Sequence, residues 1–180
     1  MLSILIILTL AYGVYAGIRR GLALQIVYSV GYTISVIVAI LSYHWLGPKL
    51  DLIIPYPSAS PQSYFAFFSS RVSLSLDNAF YLGVAFLFVV FLGWCITRIL
   101  GAYCNDLTYV SLGGEFNYPF SALLALICNY VGLFMILYVL ALIPITGLQK
   151  MLDHSLLAST MIRYSTGLTH LFTNLLMSTL

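Results

Sequence analysis

Charge is what this chain has least of. Of its 180 residues, seven are Lys or Arg and five are Asp or Glu. These few gather between long apolar runs. None lies in Met1–Ala16, Gly21–Pro48, Asn78–Thr97 or Phe116–Gln149. The hydrocarbon core of a bilayer is about 30 Å thick, and roughly 20 mostly apolar residues cross it as a helix. Four such runs, in a chain that is 62% hydrophobic, exclude an ordinary soluble domain. No soluble fold of this length could cover that much apolar surface.

Other scarcities narrow the function. A net charge of +2 without a basic stripe is too weak to suggest nucleic acid, and no nucleic-acid partner is expected. The three cysteines, Cys95, Cys104 and Cys128, show no CxxC or Cys–His spacing. They read as small apolar fillers, and neither a disulfide framework nor a metal site is expected. No span interior carries Asp or Glu, which argues against a proton- or sodium-driven pump. HExxH and GxSxG are absent, and Gly113-Gly114 lacks the Lys and Ser/Thr of a phosphate loop. His44, His154 and His170 stand far apart and read as surface polar residues. The expectation is a protein that is not an enzyme, with no catalytic residue, no cofactor and no metal.

What is present predicts an all-α integral membrane protein. Residues 1–146 form a compact bundle of four transmembrane helices, at about 2–18, 22–46, 78–100 and 118–143. Residues 147–180 form an amphipathic helical tail. Leu2–Tyr12 resembles a signal-peptide core, with Val14-Tyr15-Ala16 as a loose cleavage site. Yet Arg19 and Arg20 follow the apolar run instead of preceding it, which predicts an uncleaved anchor. Gly17-Ile18-Arg19-Arg20-Gly21 leaves almost no linker, so a helical hairpin is expected, its arginines on the cytoplasmic side. Arg98 falls on that side too, while Lys49 and Arg71 fall outside, as do the amino terminus and the tail. Gly47-Pro48 is expected to stop the second span and Pro144 the fourth. Tyr64, Phe65, Phe67 and Phe68, between spans two and three, read as an interfacial belt or surface-lying helix.

Small residues recur at four-residue spacing. The sets are Gly13, Gly17 and Gly21; Gly31, Ser35 and Ala39; Gly93, Thr97 and Gly101; and Ser121, Ala125 and Asn129. Apolar helices in lipid associate through close van der Waals contact, so these stripes are expected to be packing faces. Gln25 and Asn129 are the candidates for intramembrane hydrogen bonds between helices. In the tail, Leu152, Leu156, Met161, Tyr164, Leu168, Leu171, Phe172 and Leu175 recur at three- to four-residue spacing. They predict an apolar face that lies on the membrane or against the mouth of the bundle, with Gly167 as a possible break.

Several segments together resemble the colicin V production (CvpA) family of bacterial membrane proteins. These are Ala16-Gly17-Ile18-Arg19-Arg20-Gly21-Leu22 followed by Gln25; Ser111-Leu112-Gly113-Gly114-Glu115-Phe116-Asn117; and Ser155-Leu156-Leu157 with Ser165-Thr166-Gly167-Leu168. The resemblance covers most of the chain in order. It is weaker where Pro119, Ser121, Ala122 and Ala125 replace the glycines family members carry, and where Gly167 replaces a proline. It implies a multi-pass protein of the cytoplasmic membrane linked to toxin export and envelope homeostasis, and supplies no active site. Two functions follow. One is a non-enzymatic factor that works by association in the lipid bilayer, as a homo-oligomer or with a membrane-protein partner. The other is a small oligomeric channel or transporter for ions or small solutes.

Overall fold

The computed structural model describes residues 1–51, 66–67, 76–110, 112 and 114–177. Among them all regular structure is helical. The elements are α1 (Leu2–Leu50), α2 (Leu76–Tyr103), α3 (Asn117–Ala141), α4 (Thr146–Asp153), α5 (Leu156–Tyr164) and α6 (Thr166–Met177). Two 3-10 turns, Asn105–Tyr109 and Gly114–Phe116, lie between α2 and α3. Three helices, Leu2–Leu50, Asp77–Tyr103 and Gly114–Ala141, are long and apolar enough to cross a membrane. An apolar chain in lipid must satisfy its backbone internally, and a helix does so within one segment. Hydroxyls and amides follow the same logic. Ser29, Thr33, Ser35, Thr97 and Asn129 each donate to the carbonyl four residues earlier.

The 49 residues of α1 are not one rod. Gly21 has φ 74° and ψ 167°, outside the helical region. This backbone region is essentially restricted to glycine. The neighbours on α3 show what the break does. Asn129 lies over Gly13, and Ser29 Oγ is 3.4 Å from the thiol of Cys128. In an unbroken helix Gly13 and Ser29 would stand roughly 24 Å apart. Here they meet adjacent residues of α3, so the chain doubles back at Gly21.

Two boundaries differ from the sequence expectation. Gly47-Pro48 does not stop the helix, which runs on to Leu50. Pro48 sacrifices one intrahelical bond within the last turn, where the loss is small. The tail is three short helices, broken at His154-Ser155 and at Ser165, not at Gly167. Ser155 has extended φ/ψ and its side chain accepts the Ala158 N–H, an N-cap that starts α5. Each break resets the helical phase. Leu152, Met161 and Phe172 are buried as expected, but Leu156, Tyr164 and Leu171 are exposed. Ala158, Ile162 and Leu176 take the buried places.

The chain divides into two units. The first comprises Met1–Ile6, Ser42–Leu87 and Phe134–Leu180. Its centre is aromatic: Phe172 meets the rings of Phe86, Phe134 and Tyr138 at centroid distances of 5.3, 5.5 and 5.7 Å. Leu142, Leu152 and Leu176 are fully buried in the same unit. The second comprises Ile7–Leu41 and Phe88–Leu133. It is built on close helix crossings at small residues, described next.

Candidate functional site

The polar groups concentrate at the reversal in the second unit. Past Gly21, the N–H of Leu22 is bonded from another helix. Asn117 supplies the acceptor from the start of α3, its Oδ1 lying 2.9 Å from Leu22 N. Asn117 is buried and therefore caps the second arm of α1 from another helix. Arg19 points outward and donates to the Tyr15 hydroxyl at 3.3 Å. Arg20 turns inward. It donates to Oε1 of the fully buried Gln25 at 3.5 Å, and its guanidinium stands 4.5 Å from the centre of the Tyr28 ring.

Arg98, on α2, approaches the same ring at 5.5 Å and the Trp94 ring at 5.2 Å. Two guanidiniums thus share one tyrosine. Their distances from its centre put them at most about 10 Å apart, where unit charges repel by about 1–2 kcal/mol or more at an effective dielectric near 20, before solvent screening. The cation–π contacts offset part of that, each by about 0.5–2 kcal/mol.

The small residues bring the helices of this unit together. A Cβ at Gly17 would overlap Ala125, and the Ser121 hydroxyl donates to the Gly17 carbonyl. A Cβ at Gly13 would overlap the Asn129 amide, which itself donates to Ala125 O at 2.7 Å on its own helix. Gly31 lies against Thr97, Gly93 against Ser35, and Gly101 against the Tyr28 ring. The stripes of α1, α2 and α3 therefore face one another inside the chain. Ala39 is fully buried. Beside the Gly31–Thr97 crossing lies an open groove of ≈ 380 Å³, lined by Ile34, Val38, Val89, Leu92, Ile96 and Leu100 among others. Its walls are almost wholly apolar, and the Ser35 and Thr97 hydroxyls in the lining are bonded back to their own helices.

The first unit holds a second polar centre, around Gln149. Its Nε2 donates to the carbonyls of Ala141 and Ile143, at 2.8 and 2.9 Å, where α3 ends. Its Oε1 accepts the N–H of Ala66 at 3.1 Å. Arg163 donates to the Ala66 carbonyl at 3.2 Å and pairs with Asp153 at 3.4 Å. Phe67 lies under the same guanidinium at 5.3 Å. Both polar groups of residue 66 are thus held by side chains from α4 and α5. Ser155, besides capping α5, shares a 2.9 Å hydrogen bond with Ser3. Leu168 and Leu175 are half-buried, and the Leu175 carbonyl accepts the Tyr43 hydroxyl at 3.0 Å. The expected aromatic belt at residues 64–68 lies outside the described residues, Phe67 excepted.

Sequence reading did not single out Asn117, Tyr28 or Gln149. Asn117 had a local signal, an Asn opening an apolar run, but its partner is 95 residues away. Gln149 was merely the polar end of a charge-free stretch. The pairing of Arg98 with Arg20 had no signal in the spacing.

The comparisons with known proteins bear on the whole chain. It is 27% identical over 175 residues to the uncharacterized transmembrane protein YshB of Bacillus subtilis (strain 168), covering 97% of each chain. No solved structure matches it. The family model described as colicin V production protein matches residues 2–166. With nearly the whole length matched, this apolar helical chain belongs to the colicin V production protein family and is a membrane protein.

Proposed function

We propose that this protein is a four-pass, non-enzymatic component of the bacterial cytoplasmic membrane, supporting toxin export or envelope homeostasis by associating with itself or with a membrane partner. The reversal at Gly21 turns α1 into two crossings, which with α2 and α3 make a four-helix bundle. The amino terminus and the segment after residue 146 face outward, and Arg19, Arg20 and Arg98 face the cytoplasm.

One observation carries the reading. Among the described residues no buried side-chain nitrogen or oxygen lacks a hydrogen-bond partner. Asn117, Ser121 and Gln149 bond to backbone groups at helix ends and crossings. Ser35 and Thr97 bond back to their own helices. The buried polarity is engaged in holding the fold, as in a scaffold. The small-residue faces are taken up within the chain, so association would use the outer apolar surface. There Phe91 and Trp94 stack at 6.0 Å and both stay exposed.

The test is photocross-linking from position 91 in native membranes, followed by affinity isolation after gentle solubilisation. A discrete higher-mass adduct, self or partner, is expected. Adducts to lipid alone, together with solute flux through the purified protein in liposomes, would overturn the reading in favour of a channel.

A further inference from the structure

The paired guanidiniums of Arg20 and Arg98 are not explained by a scaffold role. Each is half-buried on a helix whose neighbours are apolar, a costly place for a cation. Neither has an ion-pair partner among the described residues. Among the described residues no carboxylate oxygen lies within 4 Å of either guanidinium. Asp106 and Glu115, the acids of the α2–α3 connector, are exposed and paired with neither arginine among the described residues. The contrast within the chain is direct: Arg163 has Asp153.

We infer that Arg20 and Arg98 form a binding site for a phosphate group, supplied by the headgroup of an anionic phospholipid. Guanidiniums 4.5 and 5.5 Å from one ring centre are near enough to be neutralised by a single anion, and guanidinium is matched to phosphate oxygens. An anion between them removes their mutual repulsion. Tyr28 and Gln25, both buried, hold Arg20 through the ring contact and the 3.5 Å hydrogen bond.

The surroundings favour a lipid over a free phosphate as the source. Ile18, Trp94, Ile99 and Tyr103 are large, apolar and exposed on the same stretches of α1 and α2. The site lies at the reversal between two apolar arms, the level at which headgroups sit if the arms cross the membrane. Basic pockets between membrane helices take anionic headgroups on this physical basis. A zwitterionic headgroup fits poorly, because its own cation would meet the second arginine.

The experiment uses the full-length protein in neutral detergent, with native mass spectrometry as the readout. Dioctanoyl phosphatidylglycerol, dioctanoyl phosphatidylcholine and inorganic phosphate are the probes. Phosphatidylglycerol should be retained at least about tenfold better than phosphatidylcholine, and millimolar-range inorganic phosphate should not displace it. Arg98→Gln and the double variant Arg20→Gln/Arg98→Gln should lose that preference, while Arg163→Gln keeps it. If the double variant fails to accumulate, Arg98→Gln and the wild-type lipid comparison still decide, because Arg98 lies outside the reversal. Equal retention of the two lipids, or unchanged preference in Arg98→Gln, overturns the site. Displacement by inorganic phosphate at equal concentration overturns the lipid source.

Discussion

The Ser121 hydroxyl donates to the carbonyl oxygen of Gly17, and the absence of a side chain at Gly17 is what lets the two helices come that close. A Cβ there would fall 2.9 Å from the Ser121 carbonyl oxygen and overlap the Ala125 methyl. Both obstacles belong to α3 and neither is the tip of a flexible chain. A single added methyl in a tight site costs about 1–3 kcal/mol, and a leucine more. Gly17→Ala should lower the amount of membrane-inserted protein, and Gly17→Leu should abolish it. Immunoblots of carbonate-washed membranes measure this. Wild-type amounts of inserted Gly17→Leu protein would refute the close-approach argument.

The reversal itself rests on backbone conformation. With φ 74° and ψ 167°, Gly21 occupies a region that costs other residues about 1–3 kcal/mol. The space around it is open by comparison, with Thr108 O 3.5 Å from where a Cβ would stand. Gly21→Ala should therefore destabilise through strain and not through overlap, and a larger side chain should add little. Asn117→Ala removes the acceptor for Leu22 N–H and should cost a similar about 1 kcal/mol. Thermal unfolding in detergent distinguishes the cases. Gly21→Ala and Gly21→Ser should melt alike and below wild type, whereas Gly17→Ala and Gly17→Ser, if recovered, should differ.

Much of this arrangement was legible in the sequence, but unevenly. The reversal could be read from Gly17 through Gly21 because two apolar runs with no linker leave the chain one option. The four-residue spacing of Gly31, Ser35, Gly93 and Thr97 marked narrow faces. Which face meets which depends on helix rotation, and spacing is silent on that. A single stripe from Leu152 to Leu175 assumes one continuous helix, whereas Ser155 and Ser165 each restart the count, leaving Leu171 exposed and Phe172 buried. Gln149 was invisible because its partners, residues 66, 141 and 143, converge only after folding.

Gln149 yields a prediction about chemistry rather than size. It is fully buried, uses both amide protons on the Ala141 and Ile143 carbonyls, and accepts from Ala66 N. Glutamate is nearly isosteric but has no N–H to give. Gln149→Glu would set a carboxylate against two carbonyls and remove the side-chain donor to Ala141 O, at about 1–3 kcal/mol for an unsatisfied group, while Ile143 O keeps its bond from Ile145 N–H. Gln149→Leu removes the same donors and also the acceptor of the Ala66 amide. Both should melt well below wild type. Thr166→Ala, which removes a hydroxyl bonded at 3.3 Å to the nearby Tyr164 carbonyl, should melt within a degree or two of it. Wild-type stability of Gln149→Glu would mean the buried amide is not holding the end of α3.

The last prediction separates two accounts of what holds α6. If a continuous apolar stripe anchored it, Leu171 would be central. In the structure Leu171 is 65% exposed, while its neighbour Phe172 is 6% exposed and meets three aromatic rings edge-on or tilted. Truncating a buried phenylalanine costs about 3–5 kcal/mol, including roughly 0.5–1.5 kcal/mol for each well-placed ring pair. An exposed leucine changes stability by about 0.5 kcal/mol or less. Phe172→Ala should therefore loosen α6 and raise its cleavage by an added protease, with the same direction for Leu176→Ala, since Leu176 is fully buried. Leu171→Ser should leave cleavage unchanged. The Tyr138–Thr173 hydrogen bond, at 2.9 Å, provides a graded control: Tyr138→Phe keeps the ring contact to Phe172 and should fall between the two. Release of α6 by Leu171→Ser, with Phe172→Ala resembling wild type, would place the anchoring face one residue away and return the tail to the single-stripe reading.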